Sequence, residues 1–467
     1  MNYYFLGIGG IGMSALARYF HMRGDTVSGY DRTESPLTRQ LVEEGIGVHY
    51  SDDPSLIPSA IDMVVYTPAV PPDTAEFQHL QSLGVPMRKR SQVLGELTRG
   101  KECIAVAGTH GKTSVASILA HLLSFSDEGC SAFLGGVAKN FNSNVVVNNK
   151  SNRVVVEADE FDRSFLQLHP HCAVITATDP DHLDVYGTYD CMLEAFHQFA
   201  SQVDSDGTLV LKQGVTLHPD SRHDEHHEGH EHSHEHDGLE GIAASRVIYT
   251  AHGVEADFYP WNVRHYNGDI FFDLRTPKGV MYDLQLQGTA LYNVENAVAA
   301  AAVAVTLGLN EHQLRHGLKT YAGVQRRFDY RIKTPELVLI DDYAHHPREI
   351  AACIESVRYL YPGKRVIGIF QPHLYSRTRD FADQFAEALS SLDELIMLPI
   401  YPAREKPILG VTSSMILRKI KGYSKYLCTP DQVLDLVPAL CPDVVITMGA
   451  GDIDRLVPRL VQTLTAE

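Results

Sequence analysis

Short apolar runs closed by glycine or an acid, each followed by an amphipathic stretch, recur along the chain and predict alternating strands and helices. The first such strand is Tyr3 to Leu6, followed by a helix through Phe20. Val27 to Asp31 and Asp62 to Thr67 read as further strands, and Gly84 to Gly100 as a last strand and short helix leading out of a first α/β unit. A second alternation starts with the apolar strand around Ile104–Ala107. Its helix, Ser114 to Phe125, carries an apolar face through Val115, Ile118, Leu119 and Leu122. The β-branched strand Arg153 to Glu157, the strand Cys172 to Ala177 and the strands Ala256–Arg264, Asp269–Arg275 and Met281–Gln287 follow, then an alanine-rich helix to Leu307. Beyond a hinge candidate at Tyr321–Phe328 a third alternation begins. Its strands are Leu337–Asp341, Arg365–Gln371, Glu394–Pro399 and Val444–Met448, with helices from Pro347, Thr378 and Asp454.

Two glycine turns interrupt this pattern at strand ends. Gly7-Ile8-Gly9-Gly10-Ile11-Gly12 has Gly-x-Gly-x-x-Gly spacing, and the acid Asp31 closes the next strand. Backbone N–H groups in such a turn serve NAD, FAD or the diphosphate of a UDP-sugar equally well, and the motif alone points to a dinucleotide. Gly108-Thr109-His110-Gly111-Lys112-Thr113-Ser114 has the grammar of a phosphate loop in a shortened form, since the general pattern would want glycine at Val106. Its lysine suits the β and γ oxygens of a triphosphate, and the Thr113 hydroxyl suits Mg²⁺ at a helix N-terminus.

Loops at the carboxyl ends of neighbouring parallel strands converge on one crevice. Three carboxylates, Glu157, Asp159 and Glu160, end one strand, and Asp179-Pro180-Asp181-His182 ends the next, so both loops should face the phosphates. Glu157 with His182 is the candidate metal pair beside Thr113, while Asp181 reads as a solvated loop end. On the alanine-rich helix, Asn293 and Asn296 lie three apart and offer donors and acceptors to a heterocycle.

Composition narrows the function classes. The 467 residues are too many for one core, 44% are hydrophobic, and the formal net charge of −18 argues against nucleic acid and anionic membranes as partners. Seven scattered cysteines without a Cys-x-x-Cys pair suit a reducing compartment, and the longest apolar run, Ala297 to Val305, is too short to span a bilayer. A cytoplasmic protein is expected. Leu217 to Asp237 is almost wholly histidine and acid, so 217–238 is expected to be a disordered surface insertion that binds Zn²⁺ or Ni²⁺ loosely at most.

Gly7 to Ser14, Gly108 to Thr113, Val156 to Glu160, Asp179 to Asp184, Arg326-Arg327-Phe328, Asp342 to Pro347 and Phe370 to His373, in this order, resemble the Mur ligases of cell-wall synthesis. The resemblance implies three α/β domains. A Rossmann-like UDP-sugar domain would span 1–98, a central P-loop ATPase-like domain with a parallel sheet 99–321, and a Rossmann-like closing domain that presents the amino acid 322–467. It turns the first glycine turn into a UDP-sugar site, with Gly7, Gly9, Gly10, Gly12, Asp31 and Thr67 as its residues. ATP would meet Gly108 to Ser114, with Lys112 on the phosphates, Asn296 on adenine, Arg327 on the phosphates and Asp342 on the ribose. Thr113, Glu157 and His182 would surround magnesium. Tyr292 stands where the family has histidine and carries no role over. Leu374 replaces a family arginine, which leaves Tyr343, His373, Arg377 and Arg379 as candidates for the amino acid.

The implied reaction joins L-alanine to the lactyl carboxylate of UDP-N-acetylmuramate at the expense of ATP, through an acyl phosphate, with Lys112, His182, Arg327 and His345 as catalytic candidates. His345 is a base by chemistry and equally a structural residue beside Pro347. A recycling ligase that adds a tripeptide to the same nucleotide-sugar is the alternative within the family; the run Gln371 to Arg377 favours the alanine enzyme. An NAD-dependent oxidoreductase would leave Lys112, Glu157 and His182 idle. A monomer or homodimer is expected.

Overall fold

The computed structural model describes residues 1–218, 239–251, 253, 255–403, 405–422 and 424–466. The histidine-rich stretch, with its expected disorder and loose metal binding, lies outside the described residues from 219 to 238. The chain forms two compact units. The first comprises Met1–Trp261, Asp273–Leu284 and Glu295–Tyr321; the second comprises Asn262–Phe272, Gln285–Val294 and Ala322–Glu467.

The first unit carries two sheets. Five parallel strands run in the order Gly47–His49, Thr26–Tyr30, Asn2–Leu6, Met63–Tyr66 and Met87–Lys89. The order reverses direction beside Asn2–Leu6, which puts the first glycine turn at the topological switch point where this class of sheet opens a crevice. The helix Ile11–Met22 leaves that turn, and its inward face is Met13, Leu16, Ala17 and Phe20. Buried Arg18 on this helix binds Glu44 and the Asn144 carbonyl, while the Asn144 amide donates to Ile11 O and Ser14 Oγ, so the first turn of the helix is fastened to its neighbours.

The second sheet has seven strands in the order Ser245–Tyr249, Thr208–Lys212, Cys172–Ile175, Glu102–Ala107, Arg153–Glu157, Ser131–Ala138 and Ser143–Val146. Only the last strand is antiparallel to its neighbour. Val115, Ile118, Leu119 and Leu122 of the phosphate-loop helix are fully buried, as their spacing predicts. That helix is Lys112–Leu123, starting two residues earlier than the sequence pattern suggests, because Gly111 in a left-handed conformation serves as its cap. Residues of both sheets share one hydrophobic core, with Phe5, Leu16, Ala105, Val156, Phe165 and Phe196 among its members.

In the second unit six strands run in the order Asp329–Lys333, Val338–Asp342, Val444–Met448, Val366–Phe370, Glu394–Met397 and Ser424–Leu427. The first is antiparallel and the rest parallel. The helix expected from Thr378 is two helices, Tyr375–Asp380 and Ala382–Leu389, separated at Phe381. The one expected from Asp454 begins as a 3₁₀ turn, Asp452–Arg455, before Leu456–Thr465. All seven cysteines are free thiols, and among the described residues no helix is long and apolar enough to cross a membrane.

Candidate active site

The first glycine turn sets a helix N-terminus at the switch point of its sheet. Gly7 leaves its strand at φ +85°, and Gly7 and Ile8 both donate to Tyr30 O, at 2.8 and 3.0 Å. The helix that follows is capped by Gly10 with no side-chain cap and no acid in its first turn, which leaves the positive end of its dipole uncompensated by a side chain. Thr67 lies across the switch point, where a Cβ on Gly7 would stand 2.7 Å from its methyl group. Asp31 accepts from Gly9 N–H at 2.8 Å and from Thr33 N–H at 3.1 Å, so part of its acceptor capacity holds the turn itself. A Cβ on Gly9 would stand 2.6 Å from Thr38 Cγ2 and 2.8 Å from the Asp31 carboxylate. On the nucleotide-sugar role that the sequence resemblance implies for this turn, Gly9→Val is expected to weaken UDP-N-acetylmuramate binding at least tenfold while ATP affinity stays within about twofold. Isothermal titration with each ligand separately checks this, and equal loss of both would mean the turn is only a folding element.

The phosphate loop follows Glu102–Ala107, between the strands that deliver the two acidic loops. Gly108 and Gly111 hold φ of +131° and +83°, and a Cβ on Gly108 would overlap Thr176 Oγ1 while one on Gly111 would stand 2.7 Å from Asn296 Oδ1. The loop is thus pressed against Thr176 on one side and Asn296 on the other. Thr176 donates to the His110 carbonyl, Thr109 Oγ1 accepts from Asp179 N–H at 3.1 Å, and His110 Nε2 lies 3.6 Å from Asp179. Ser114 is buried in the first turn of the helix.

Lys112 donates to Gly108 O at 2.5 Å and to Glu160 Oε1 at 2.9 Å. Burial pushes its ammonium down, but Glu160, Glu157 and Asp159 more than offset this and hold it above its ordinary value. Glu160 is only 1% exposed, and its second oxygen has no hydrogen-bond partner. Burial raises its carboxyl above the ordinary range against the pull of Lys112. Thr113 Oγ1 donates to Glu157 Oε1 at 3.1 Å, and Glu157 Oε2 accepts from Gly135 N–H at 2.9 Å. Only a residue without a side chain fits there, because a Cβ on Gly135 would overlap the Glu157 carboxylate.

His182 sits in a left-handed conformation at φ +51°, with Nε2 3.7 Å from both Glu160 Oε1 and Asp181 Oδ2. The sequence pairs His182 with Glu157; the geometry sets it beside Glu160. Glu160 is the residue that sequence reasoning passed over, although it is the third acid of the run ending at 160, and Gly135 gave no signal because it lies inside a strand. The Thr113 hydroxyl and the carboxylates of Glu157 and Glu160, the latter with one buried oxygen lacking a hydrogen-bond partner, are hard oxygen donors that suit Mg²⁺, and the His182 imidazole is a softer nitrogen donor beside them.

In the second unit, Asp342 is buried and its carboxylate accepts from Phe328 N–H at 2.8 Å, Ala344 N–H at 2.7 Å and the Tyr292 hydroxyl at 3.1 Å. It therefore fastens the Arg326–Phe328 segment, whose Arg326 and Phe328 have φ of +60° and +48°. Tyr292, which carried no role over from the family, is one of its donors. The guanidinium groups of Arg326 and Arg327 lie 5.1 and 5.2 Å from the Tyr343 ring centre, within cation–π range. Arg326 also donates to Gly449 O at 2.6 Å and lies 3.5 Å from Asp341. Burial pushes Asp341 up to about 6, against the pull of Arg326. Its folded value lies above the unfolded one, so its contribution is greatest in acid and is lost as pH rises towards 6, by about 3 kcal/mol. Urea midpoints of Asp341→Asn between pH 4 and 7 should lack this downward slope, and an unchanged slope would assign it elsewhere.

His345 Nδ1 lies 3.0 Å from Tyr343 O and 3.3 Å from Glu349. Burial, together with Arg377 and Arg327, holds its imidazole below the ordinary value despite Glu349, which favours the neutral form that a base requires. The His373 ring is 6.2 Å from that of His345 and stacks on Tyr401 at 5.8 Å. Tyr343, His345, His373 and Arg377 thus gather in one neighbourhood. Arg379 is half exposed and paired with the adjacent Asp380 at 2.7 Å, so the structure gives it a solvent-facing ion pair. Leu374, at the family's arginine position, adopts φ +71° and donates its N–H to Tyr401 O at 2.9 Å.

Comparison with known proteins agrees with this architecture. Family models described as Mur ligase family, catalytic domain, Mur ligase middle domain, and Mur ligase, glutamate ligase domain match residues 2–102, 106–304 and 326–451. The UDP-N-acetylmuramate--L-alanine ligase of Phocaeicola vulgatus is 46% identical over 98% of this chain and 96% of its own. That of Porphyromonas gingivalis is 47% identical over 99% and 98%. The crystal structure of the UDP-N-acetylmuramate-alanine ligase MurC from Thermotoga maritima superposes with a TM-score of 0.82 at 25% identity, covering 99% of both chains. A murein peptide ligase from Psychrobacter arcticus shares the fold, with a TM-score of 0.70 at 20% identity over 100% of this chain and 99% of its own. The chain belongs to the Mur ligase family.

Proposed function

We propose that the protein is an ATP-dependent ligase that joins L-alanine to the lactyl carboxylate of UDP-N-acetylmuramate in peptidoglycan synthesis, working in the cytoplasm. The observation that carries this reading is the gathering of Lys112, Thr113, Glu157, Glu160 and His182 at the carboxyl ends of three adjacent strands. The names of relatives 41–47% identical over nearly the whole chain support the alanine substrate over the tripeptide. Within this reading, 1–98 is the nucleotide-sugar domain, 99–321 the ATP domain and 322–467 the amino-acid domain, a division supported by the three family segments.

The lactyl carboxylate attacks the γ-phosphorus of ATP, the bond from that phosphorus to the β-phosphate oxygen breaks, and ADP leaves the acyl phosphate behind. Two anions at ~4 Å repel by roughly 1 kcal/mol even in water, so cations must bridge them. Lys112 leaves Glu160 for the phosphate oxygens, Arg327 adds a second cation, Asn296 reads adenine and Asp342 meets the ribose. Thr113, Glu157 and His182 would hold Mg²⁺, which when bound neutralises phosphate charge. The neutral amine of alanine then attacks the acyl carbonyl, His345 takes a proton from the nitrogen, and inorganic phosphate leaves with the former carboxylate oxygen. Tyr343, His373 and Arg377 receive the amino acid. Exclusion of water keeps the acyl phosphate from hydrolysis. The test is phosphate release from ATP with UDP-N-acetylmuramate against L-alanine, glycine, L-serine and the tripeptide. Alanine should give the highest kcat/KM, and a preference for the tripeptide would overturn the assignment.

A further inference from the structure

Arg90 opens the helix Arg90–Thr98 at the end of the nucleotide-sugar sheet, and it touches both halves of the chemistry. Its Nη2 donates to Asp159 Oδ2 at 3.1 Å. The same guanidinium lies over the first glycine turn, where a Cβ on Gly12 would stand 2.7 Å from Nη1. Asp159 comes two residues after Glu157 and directly before Glu160. Arg90, Glu157 and Asp159 also line one small cavity together with Ser91, Ser164 and Phe165.

The segment that Arg90 grips is under backbone strain. Asp162 and Arg163 are consecutive left-handed residues at φ +53° and +54°, a conformation that costs about 1 kcal/mol or more for each non-glycine residue. Neighbouring contacts hold it in place. Lys89 pairs with Asp162 at 3.3 Å, Phe161 N–H donates to Asp159 Oδ1 at 3.1 Å, and Tyr186 donates to Glu160 O at 2.6 Å. Gly95 of the Arg90 helix lies so close that a Cβ would stand 2.5 Å from Gln167 O. Arg90 is thus tied through Asp159 and closely packed neighbours to the loop that carries Glu157 and Glu160.

We propose that Arg90 is a positioning residue that couples nucleotide-sugar binding to the phosphate and metal loop. This inference rests on the ligase reading given above. One edge of the guanidinium meets the anionic diphosphate at Gly9–Gly12 while the other retains Asp159, so that occupancy of the sugar-nucleotide site and the placement of Glu157 and Glu160 around the triphosphate favour one another. A planar fork with five donors can serve two anions at once; a lysine cannot hold both in fixed geometry.

The experiment measures binding rather than turnover. The Kd for UDP-N-acetylmuramate is determined by calorimetry with and without a saturating non-hydrolysable ATP analogue and Mg²⁺, and the ratio of the two values is the coupling. In the unaltered protein the ratio should be at least fivefold. Arg90→Met should raise the Kd for the sugar nucleotide at least tenfold and bring the ratio to one, with ATP-analogue affinity in the absence of sugar nucleotide unchanged. Arg90→Lys should recover most of the sugar affinity without the coupling. Asp159→Asn should keep the sugar affinity and lose the coupling. If Arg90 only welds two segments, Arg90→Met lowers the thermal midpoint and leaves both Kd and coupling within twofold, which overturns the proposal. A wild-type coupling of one, or an Asp159→Asn variant with wild-type coupling, overturns it as well, and does so even if Arg90→Met does not fold. Failure of the unaltered protein to bind UDP-N-acetylmuramate at all would instead strike the ligase reading.

Discussion

Lys112→Ala is expected to lower the ligation rate by at least about 10³-fold, the scale of losing a cation that meets the charge developing on a transferring phosphoryl group. The structure adds a second consequence that the sequence pattern conceals. Lys112 lies outside the apolar face of its helix, which alone would make the substitution harmless to folding. Yet its ammonium neutralises Glu160, a buried carboxylate, and breaking such a pair costs about 3 kcal/mol because a buried charge is left uncompensated. The pH dependence of that cost has a definite sign. Without Lys112 the folded pKa of Glu160 climbs further above its unfolded value, so the penalty is absent while Glu160 is protonated in both proteins and grows as pH rises past its already raised value in the unaltered protein. Thermal midpoints of Lys112→Ala should match those of the unaltered protein near pH 4 and fall behind by pH 8. Adding Glu160→Gln should restore the midpoint without restoring the rate. Activity within tenfold of normal, or a midpoint deficit that does not change with pH, would contradict this account of the pair.

The largest effect on stability is expected at Asp342. Asp342→Ala would leave the Phe328 and Ala344 N–H groups and the Tyr292 hydroxyl without their acceptor in a buried place. Each orphaned donor costs about 1–3 kcal/mol, and the three together should lower the stability of the second unit by about 3–5 kcal/mol. Tyr292→Phe removes only one donor and leaves the other two paired, so about 1 kcal/mol is expected from it. Urea unfolding followed by circular dichroism separates the two variants. A second unit as stable in Asp342→Ala as in the unaltered protein would show that these hydrogen bonds do not hold the Arg326–Phe328 segment.

How much of this was legible beforehand depended on the range of the forces involved. The phosphate-loop strand and helix were legible because Val115, Ile118, Leu119 and Leu122 repeat at helical spacing and all end in the core. The switch-point position of the first glycine turn was legible in outline, since the strands around Tyr3–Leu6 and Val27–Asp31 declare themselves, but Gly47–His49 is too short to carry a periodic signal. Which acid of the run from Glu157 to Glu160 turns inward was not legible, because the choice depends on the left-handed pair Asp162 and Arg163 and on Tyr186, which lies elsewhere in the chain. Arg379 and Arg377 are likewise indistinguishable by residue type; the neighbouring Asp380 claims one of them. Tyr292 shows the converse case, in which a departure from the family pattern acquires meaning only when the Asp342 carboxylate is found at the end of its hydroxyl.

The acyl-phosphate route is tested most directly by the fate of one oxygen atom. UDP-N-acetylmuramate labelled with ¹⁸O in the lactyl carboxylate is turned over with ATP, Mg²⁺ and L-alanine, and the inorganic phosphate is examined by mass spectrometry. Attack of the carboxylate on the γ-phosphorus followed by amine attack at carbon places one ¹⁸O atom in each phosphate released. Phosphate free of label, with amide formed at the normal rate, would contradict the mechanism and with it the roles given to Lys112 and Arg327.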